Sequence, residues 1–160
     1  PPVNIHTVNF ATNEEQRFTF SPHEEREALP RYTDTVGKYL YEPNSSLLKG
    51  GAFKLVASRH GIDKLHQHSH LYTSDHLVED FPGRTFRVDE VLEFSGKLLK
   101  QISRTIPRAN LTTRNFKLSV SELRSRSKIK DGGDIYLFAT TLHDNRPVLI
   151  RTRKQEKDKR

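Results

Sequence analysis

Ile135-Tyr136-Leu137-Phe138-Ala139-Thr140-Thr141-Leu142, then His143-Asp144-Asn145-Arg146, then Pro147-Val148-Leu149-Ile150-Arg151-Thr152-Arg153 carries the pattern that decides the fold. The first eight residues are rich in β-branched and aromatic side chains and are apolar on both faces. That predicts a central strand buried on two sides. The polar tetrad is a turn. Residues 147–153 alternate behind it, with Arg151 and Arg153 on one face, and read as a last antiparallel strand.

Working back from this hairpin, Asp131-Gly132-Gly133-Asp134 is a turn. Ser119-Val120-Ser121-Glu122 is a capping box, so a helix runs from there to about Ile129. Ala109 to Phe116 alternates as a strand. Pro107 closes a helix that Ser95 can cap, with Leu99, Ile102 and Ile106 on one side. Phe86 to Phe94 reads as another strand. Residues 84–153 therefore predict an α+β unit of order β-α-β-α-β-β. Its small mixed sheet should carry its helices on one face.

The first half is less regular. Val3 to Val8 and Arg17 to Phe20 alternate as two strands, and Ser21-Pro22-His23-Glu24-Glu25 opens a helix that Pro30 stops. Two strands and a short helix do not bury a core alone. Asn44 caps a helix expected from Ser45 to about His60, with Gly61 at its end. Gly50-Gly51 inside it costs about 1 kcal/mol per glycine. The reading divides the chain into residues 1–38, a helical connector at 39–83, the α+β unit at 84–153 and a charged, fraying tail at 154–160. The Pro1-Pro2 start suggests a piece of a larger protein.

Hydrophobic residues are 33% of the chain, and they fall in periodic clusters, so it is expected to fold rather than stay disordered. It has no cysteine, which excludes a disulfide scaffold and a thiolate zinc site and is compatible with the cytoplasm. No apolar run approaches the roughly 18 residues of a membrane span, so no membrane is expected as a partner. The net charge is +7, unevenly placed. Residues 1–83 hold 8 Lys/Arg against 11 Asp/Glu, and residues 84–160 hold 19 against 9. A polyanion partner for the second half fits that asymmetry, and so does a plain solvated basic surface.

Lys97, Lys100 and Arg104 follow helical spacing opposite the apolar stripe, as a wet helix face also would. Arg124 and Lys128 are one turn apart on the second helix, Arg114 and Lys117 flank a strand-to-helix turn, and Arg151 and Arg153 alternate on the last strand. Phosphate oxygens need such donors. Tyr136, Phe138 and Phe116 would stack on bases if exposed and form core if buried. His66, His68 and His70 would share one side of a strand and suit a metal there, or else make a polar connector. They lack zinc-site spacing, so no metal ligand is assigned. The adjacent acids Glu79/Asp80 and Asp89/Glu90 would face opposite ways on strands. No Gly-rich nucleotide loop, P-loop or hydrolase elbow occurs, and no catalytic or cofactor-binding residue is assigned.

Tyr39-Leu40-Tyr41-Glu42-Pro43-Asn44 and Leu48-Lys49-Gly50-Gly51-Ala52-Phe53 resemble a stretch of a bacterial family. It is the family of class I S-adenosylmethionine-dependent methyltransferases with a THUMP-like C-terminal domain. Leu71 to Asp75, Asp80 to Arg84, Arg114 to Phe116, Ser121 to Arg124 and Lys130 to Phe138 continue the likeness. Gly50-Gly51 departs from the family's usual Ala-Gly. The resemblance implies a parent with a Rossmann-like methyltransferase domain, then a ferredoxin-like domain ending within residues 1–38, then a THUMP-like domain. S-adenosylmethionine would bind upstream. Structured RNA, tRNA above all, would be the partner, docked by Arg114, Lys117, Arg124, Lys128, Arg151 and Arg153. The rival reading is a non-catalytic scaffold module packed on the parent's methyltransferase domain.

Overall fold

The computed structural model describes residues 3–11 and 14–156; the end of the expected tail, 157–160, lies outside the described residues. Residues 83–154 take the expected order. It runs β6 (Gly83–Glu93), α4 (Gly96–Gln101), β7 (Asn110–Arg114), α5 (Val120–Ser127), β8 (Ile135–Thr141) and β9 (Pro147–Lys154). Local chemistry sets the helix starts. Ser95 accepts from the Leu98 amide, and Ser119 and Glu122 form a reciprocal capping box. α4 is shorter than its sequence suggests, and a 3-10 turn at Ile102–Arg104 finishes it, which still delivers Ile102 and Ile106 to the core. β8 sits between β9, antiparallel, and β7, parallel, as its two apolar faces require.

The first half differs more from expectation. Before β6 come β1 (Ile5–Ala11), β2 (Glu14–Phe20), α1 (Pro22–Glu27), β3 (Tyr39–Pro43), α2 (Ser45–Gly50), α3 (Leu55–His60), β4 (Asp63–Lys64) and β5 (Tyr72–Ser74). The single helix expected over 45–60 is two helices. Gly51 adopts φ 82 and its amide closes onto the Leu47 carbonyl, so the glycine pair ends α2 rather than merely weakening it. Residues 39–83 are not simply a helical connector. β3, β4 and β5 join the sheet, whose order is β4-β5-β3-β6-β9-β8-β7. β3 pairs directly with β6, so one seven-stranded sheet spans both halves. The charged tail also begins later than read, because β9 holds Lys154 and the Gln155 amide still reaches the Thr85 carbonyl at 2.9 Å.

Three apolar clusters result. α4, the 3-10 turn after it and α5 cover one sheet face with Leu99, Ile102 and Leu123 against Leu137, Ala139 and Leu149. The opposite face carries Leu40, Phe86, Phe138 and Ile150, closed over by Leu65 and Leu71. The β1–β2 hairpin places Phe18 and Phe20 against Tyr41, Leu47, Val56 and Phe81, which supplies the burial that a lone hairpin lacks. Buried phenylalanines of this kind contribute roughly 2 kcal/mol each.

The junction of the halves depends on Gly83, where a Cβ would overlap the Glu42 carbonyl and press on the Asn44 nitrogen at 3.0 Å. Gly83→Ala should lower the unfolding free energy by about 2 kcal/mol in denaturant titration, since backbone must give way. An unchanged midpoint would show that β3 and β6 are free to separate there.

Candidate nucleic-acid interface

Glu42 lies on β3 and Arg114 on β7, four strand steps apart, which in a flat sheet means about 19 Å at ordinary strand spacing. Yet Arg114 Nη2 donates to Glu42 Oε2 at 3.1 Å. The sheet is rolled, and this contact spans its mouth. Arg84 Nε and Nη2 approach the other carboxylate oxygen at 2.8 and 2.6 Å. The Glu42 side chain is 7% exposed, whereas Arg84 is 43% and Arg114 33% exposed. A buried carboxylate thus holds two half-exposed guanidiniums. Arg84 also lies over the rings of Phe86 and Tyr136, at 5.1 and 5.6 Å, a cation–π arrangement that fixes its plane.

Beside this triad runs a groove of about 1090 Å³ between the β1–β2 hairpin, the β3–α2 junction, the start of β6, β7 and the end of β9. Gln16, Asn44, Arg84, Arg114 and Lys154 line it, with Phe10 at 79% exposure. Gln16 bridges its walls, accepting from Asn44 Nδ2 at 3.0 Å and donating to the Gly83 carbonyl at 3.3 Å.

The six residues picked out by sequence divide into two kinds. Arg114, Arg124 and Arg153 are engaged within the protein. Arg124 donates to the Ile129 carbonyl at 3.1 Å and to Asp131 at 3.3 Å, tying α5 to the turn before β8. Arg153 forms a two-point pair with Asp89, at 2.9 and 3.0 Å, beside the β6 bulge. Lys117, Lys128 and Arg151 form no ion pair among the described residues. Lys117 lies over the Phe94 ring at 5.1 Å, Lys128 is the exposed left-handed cap of α5, and Arg151 is half-buried opposite Glu90 and Leu137. Lys97, Lys100, Arg104, Arg126 and Lys130 are exposed nearby in the chain and also lack ion pairs among the described residues. Three of the six are thus committed to contacts within the protein and three are not. Sequence reasoning missed Arg84 and Lys154, since no local spacing relates either to Arg114.

The aromatics are mainly core. Phe138 is fully buried against Phe86, Phe116 meets Phe94 edge-on, and Tyr136 is half-buried. The histidine run is not a strand, because residues 67–69 turn and His70 has φ 49, so the three rings do not share a face.

Residues 83–154 match the model of a THUMP domain-like family, and residues 39–82 match that of a ferredoxin-like domain. Residues 83–154 are a THUMP-like domain. The ferredoxin-like match covers β3 to β5 and the two short helices, whereas the sequence had suggested that such a domain ends before residue 39. The whole chain is similar to the crystal structure of a putative methyltransferase from Porphyromonas gingivalis W83, at 48% identity and a TM-score of 0.93. That likeness covers 96% of this chain and 38% of the other, so this chain spans well under half of that protein's length. No curated protein matches the chain.

Glu42→Ala should cost about 2 kcal/mol, because it leaves two partly buried guanidiniums facing each other. Asp89→Ala, beside an arginine that is 61% exposed, should cost less than about 1 kcal/mol. Thermal or urea unfolding of the two variants compares them directly; equal losses would refute a special weight for the Glu42 bridge.

Proposed function

We propose that this chain is the RNA-docking part of a larger protein, and that its THUMP-like domain presents structured RNA, tRNA foremost, to a methyltransferase domain elsewhere in that protein. The observation that carries the reading is the set of unpaired cations on the THUMP-like domain. Lys117, Lys128 and Arg151, with the exposed lysines and arginines of α4 and α5, have phosphate-seeking groups with no internal carboxylate partner among the described residues. Docking runs through phosphates and 2′-hydroxyls, as A-form RNA favours. Arg84, Arg114 and Lys154 add donors along the groove, where Arg84 and Arg114 would exchange part of their bond to Glu42 for phosphate.

The parent is read as a class I S-adenosylmethionine-dependent enzyme with this chain as its C-terminal part, acting in the cytoplasm. The Gly132-Gly133 turn before β8 is packed by the Arg108 side chain, 3.3 Å from where a Gly133 Cβ would stand, so it offers no open cradle to a nucleoside. This chain's own contribution is binding and orientation.

Fluorescence polarisation with total tRNA at about 50 and 200 mM salt tests the reading, since phosphate-driven affinity changes steeply over that range. Binding near micromolar at the lower salt and its collapse at the higher support it. Lys117→Glu, Lys128→Glu and Arg151→Glu should each weaken binding severalfold and flatten the salt slope by about one. Arg124→Glu should chiefly destabilise α5. Absence of binding at the lower salt favours the rival scaffold role, with the basic face packed on the parent's catalytic domain.

A further inference from the structure

The H-x-H-x-H run takes no part in the RNA reading, yet it occupies a distinctive place. Residues 65–71 cross the rolled sheet near the ends of β7 and β8. Leu65 and Leu71 are buried in the inner cluster, and the Leu65 amide bonds to the Leu71 carbonyl at 3.0 Å. Ser69 Oγ donates to the Thr141 carbonyl at 2.6 Å and receives Asn115 Nδ2 at 3.4 Å. His66 Nδ1 faces two N–H groups, the His68 amide at 3.0 Å and Asn115 Nδ2 at 3.3 Å, so it must accept. The ring proton then belongs on Nε2, which donates to Asn145 Oδ1 at 2.9 Å.

His70 makes the same segment sensitive to acid from the inside. Its ring stacks on Phe53 with centroids 3.7 Å apart, and its Nδ1 is buried with no hydrogen-bond partner among the described residues. Three basic groups act on it. Lys64 lies on β4, His68 on the same segment, and Arg114 on β7. Lys64 is 1% exposed and donates to the carbonyls of His66 and Gln67 at 2.6 and 2.9 Å. The nearby carboxylates serve other groups. Glu25 acts on Lys64 and caps α3 through the Lys54 and Leu55 amides, and Glu42 is held by Arg84 and Arg114. Burial above all, then Lys64, His68 and Arg114, pushes His70 down to about 4.

We propose that residues 65–71 form an acid-released strap, which clips the end of the rolled sheet at neutral pH and detaches when His70 takes up a proton. The sign follows from proton linkage. The closed strap holds His70 neutral well below the ordinary 6.5, so the open state binds more protons between about 4 and 6.5. The strap's hold is complete above 6.5 and is lost as the pH falls toward 4. Release would uncover Leu65 and Leu71 and remove the Ser69 and His66 contacts to Asn115, Thr141 and Asn145.

Hydrogen exchange on this 160-residue chain at pH 7.5 and pH 5, corrected for intrinsic rates, reads the strap directly. Amides of residues 65–71 should lose protection by roughly 30-fold at pH 5, while those of β8 and β9 keep theirs. Unchanged protection overturns the proposal, and so does an equal loss through β8 and β9, which would be global unfolding. His70→Asn keeps a residue tolerant of positive φ and removes the titrating ring. It should retain protection at pH 7.5 and lose most of the pH dependence; a full pH response in this variant overturns the role of His70. If that variant does not fold, proton NMR of the wild-type imidazoles decides. A His70 midpoint well below 6.5 supports the strap, and an ordinary midpoint overturns it.

Discussion

The rolled sheet depends on the carboxylate of Glu42. A nearly buried anion is costly unless opposite charge meets it, and here two arginines do, from β6 and from the far edge strand β7. Because β7 is bonded only to β8, nothing in the strand ladder brings it to β3. The ionic bridge and the inner cluster of Leu40, Phe86, Phe138 and Ile150 together give the sheet its curl. The groove and the strap are consequences of that curl. One lies along the bridge and the other crosses near the ends of β7 and β8.

The same bridge limits what the arginines can do. A guanidinium already bound to a carboxylate attracts a phosphate less than a free one does. Arg114, Arg124 and Arg153 are each engaged in this way, whereas Lys117, Lys128 and Arg151 are not. Counting basic residues therefore overstates the number of free donors. The unengaged cations of the THUMP-like domain matter more to a polyanion than the formal charge of its half. Arg84 occupies a middle position, held by Glu42 and two rings yet 43% exposed at the groove.

The first forty residues illustrate a different constraint. The hairpin β1–β2 has its own two-stranded sheet and makes no ladder with the large one. It is held by packing of Phe18 and Phe20 and by close approach to Gly50, where a Cβ would stand 2.8 Å from Thr7 Cγ2. The glycine pair that looks like a defect in a helix is thus a helix end at Gly51 and a contact point at Gly50. The tertiary neighbour gives Gly50 a reason that helix propensity alone does not contain.

By itself the sequence determined the elements whose signals act over a few residues. The capping box at Ser119, the Ser95 cap, the two-faced apolar run of β8 and the 143–146 turn were all legible, and with them the order of the THUMP-like unit. The resemblance at Tyr39 to Phe53 pointed to the ferredoxin-like and THUMP-like pair, though not to the residues the former occupies. Only the tertiary structure decided that residues 39–74 extend the same sheet, that Glu42 meets Arg84 and Arg114, 42 and 72 residues away, and that three of six chosen cations are already paired. The reason is one of range. Periodicity, caps and turns are written in neighbouring residues, whereas ion pairing and groove shape depend on strand order and sheet curl, which a one-dimensional pattern does not encode.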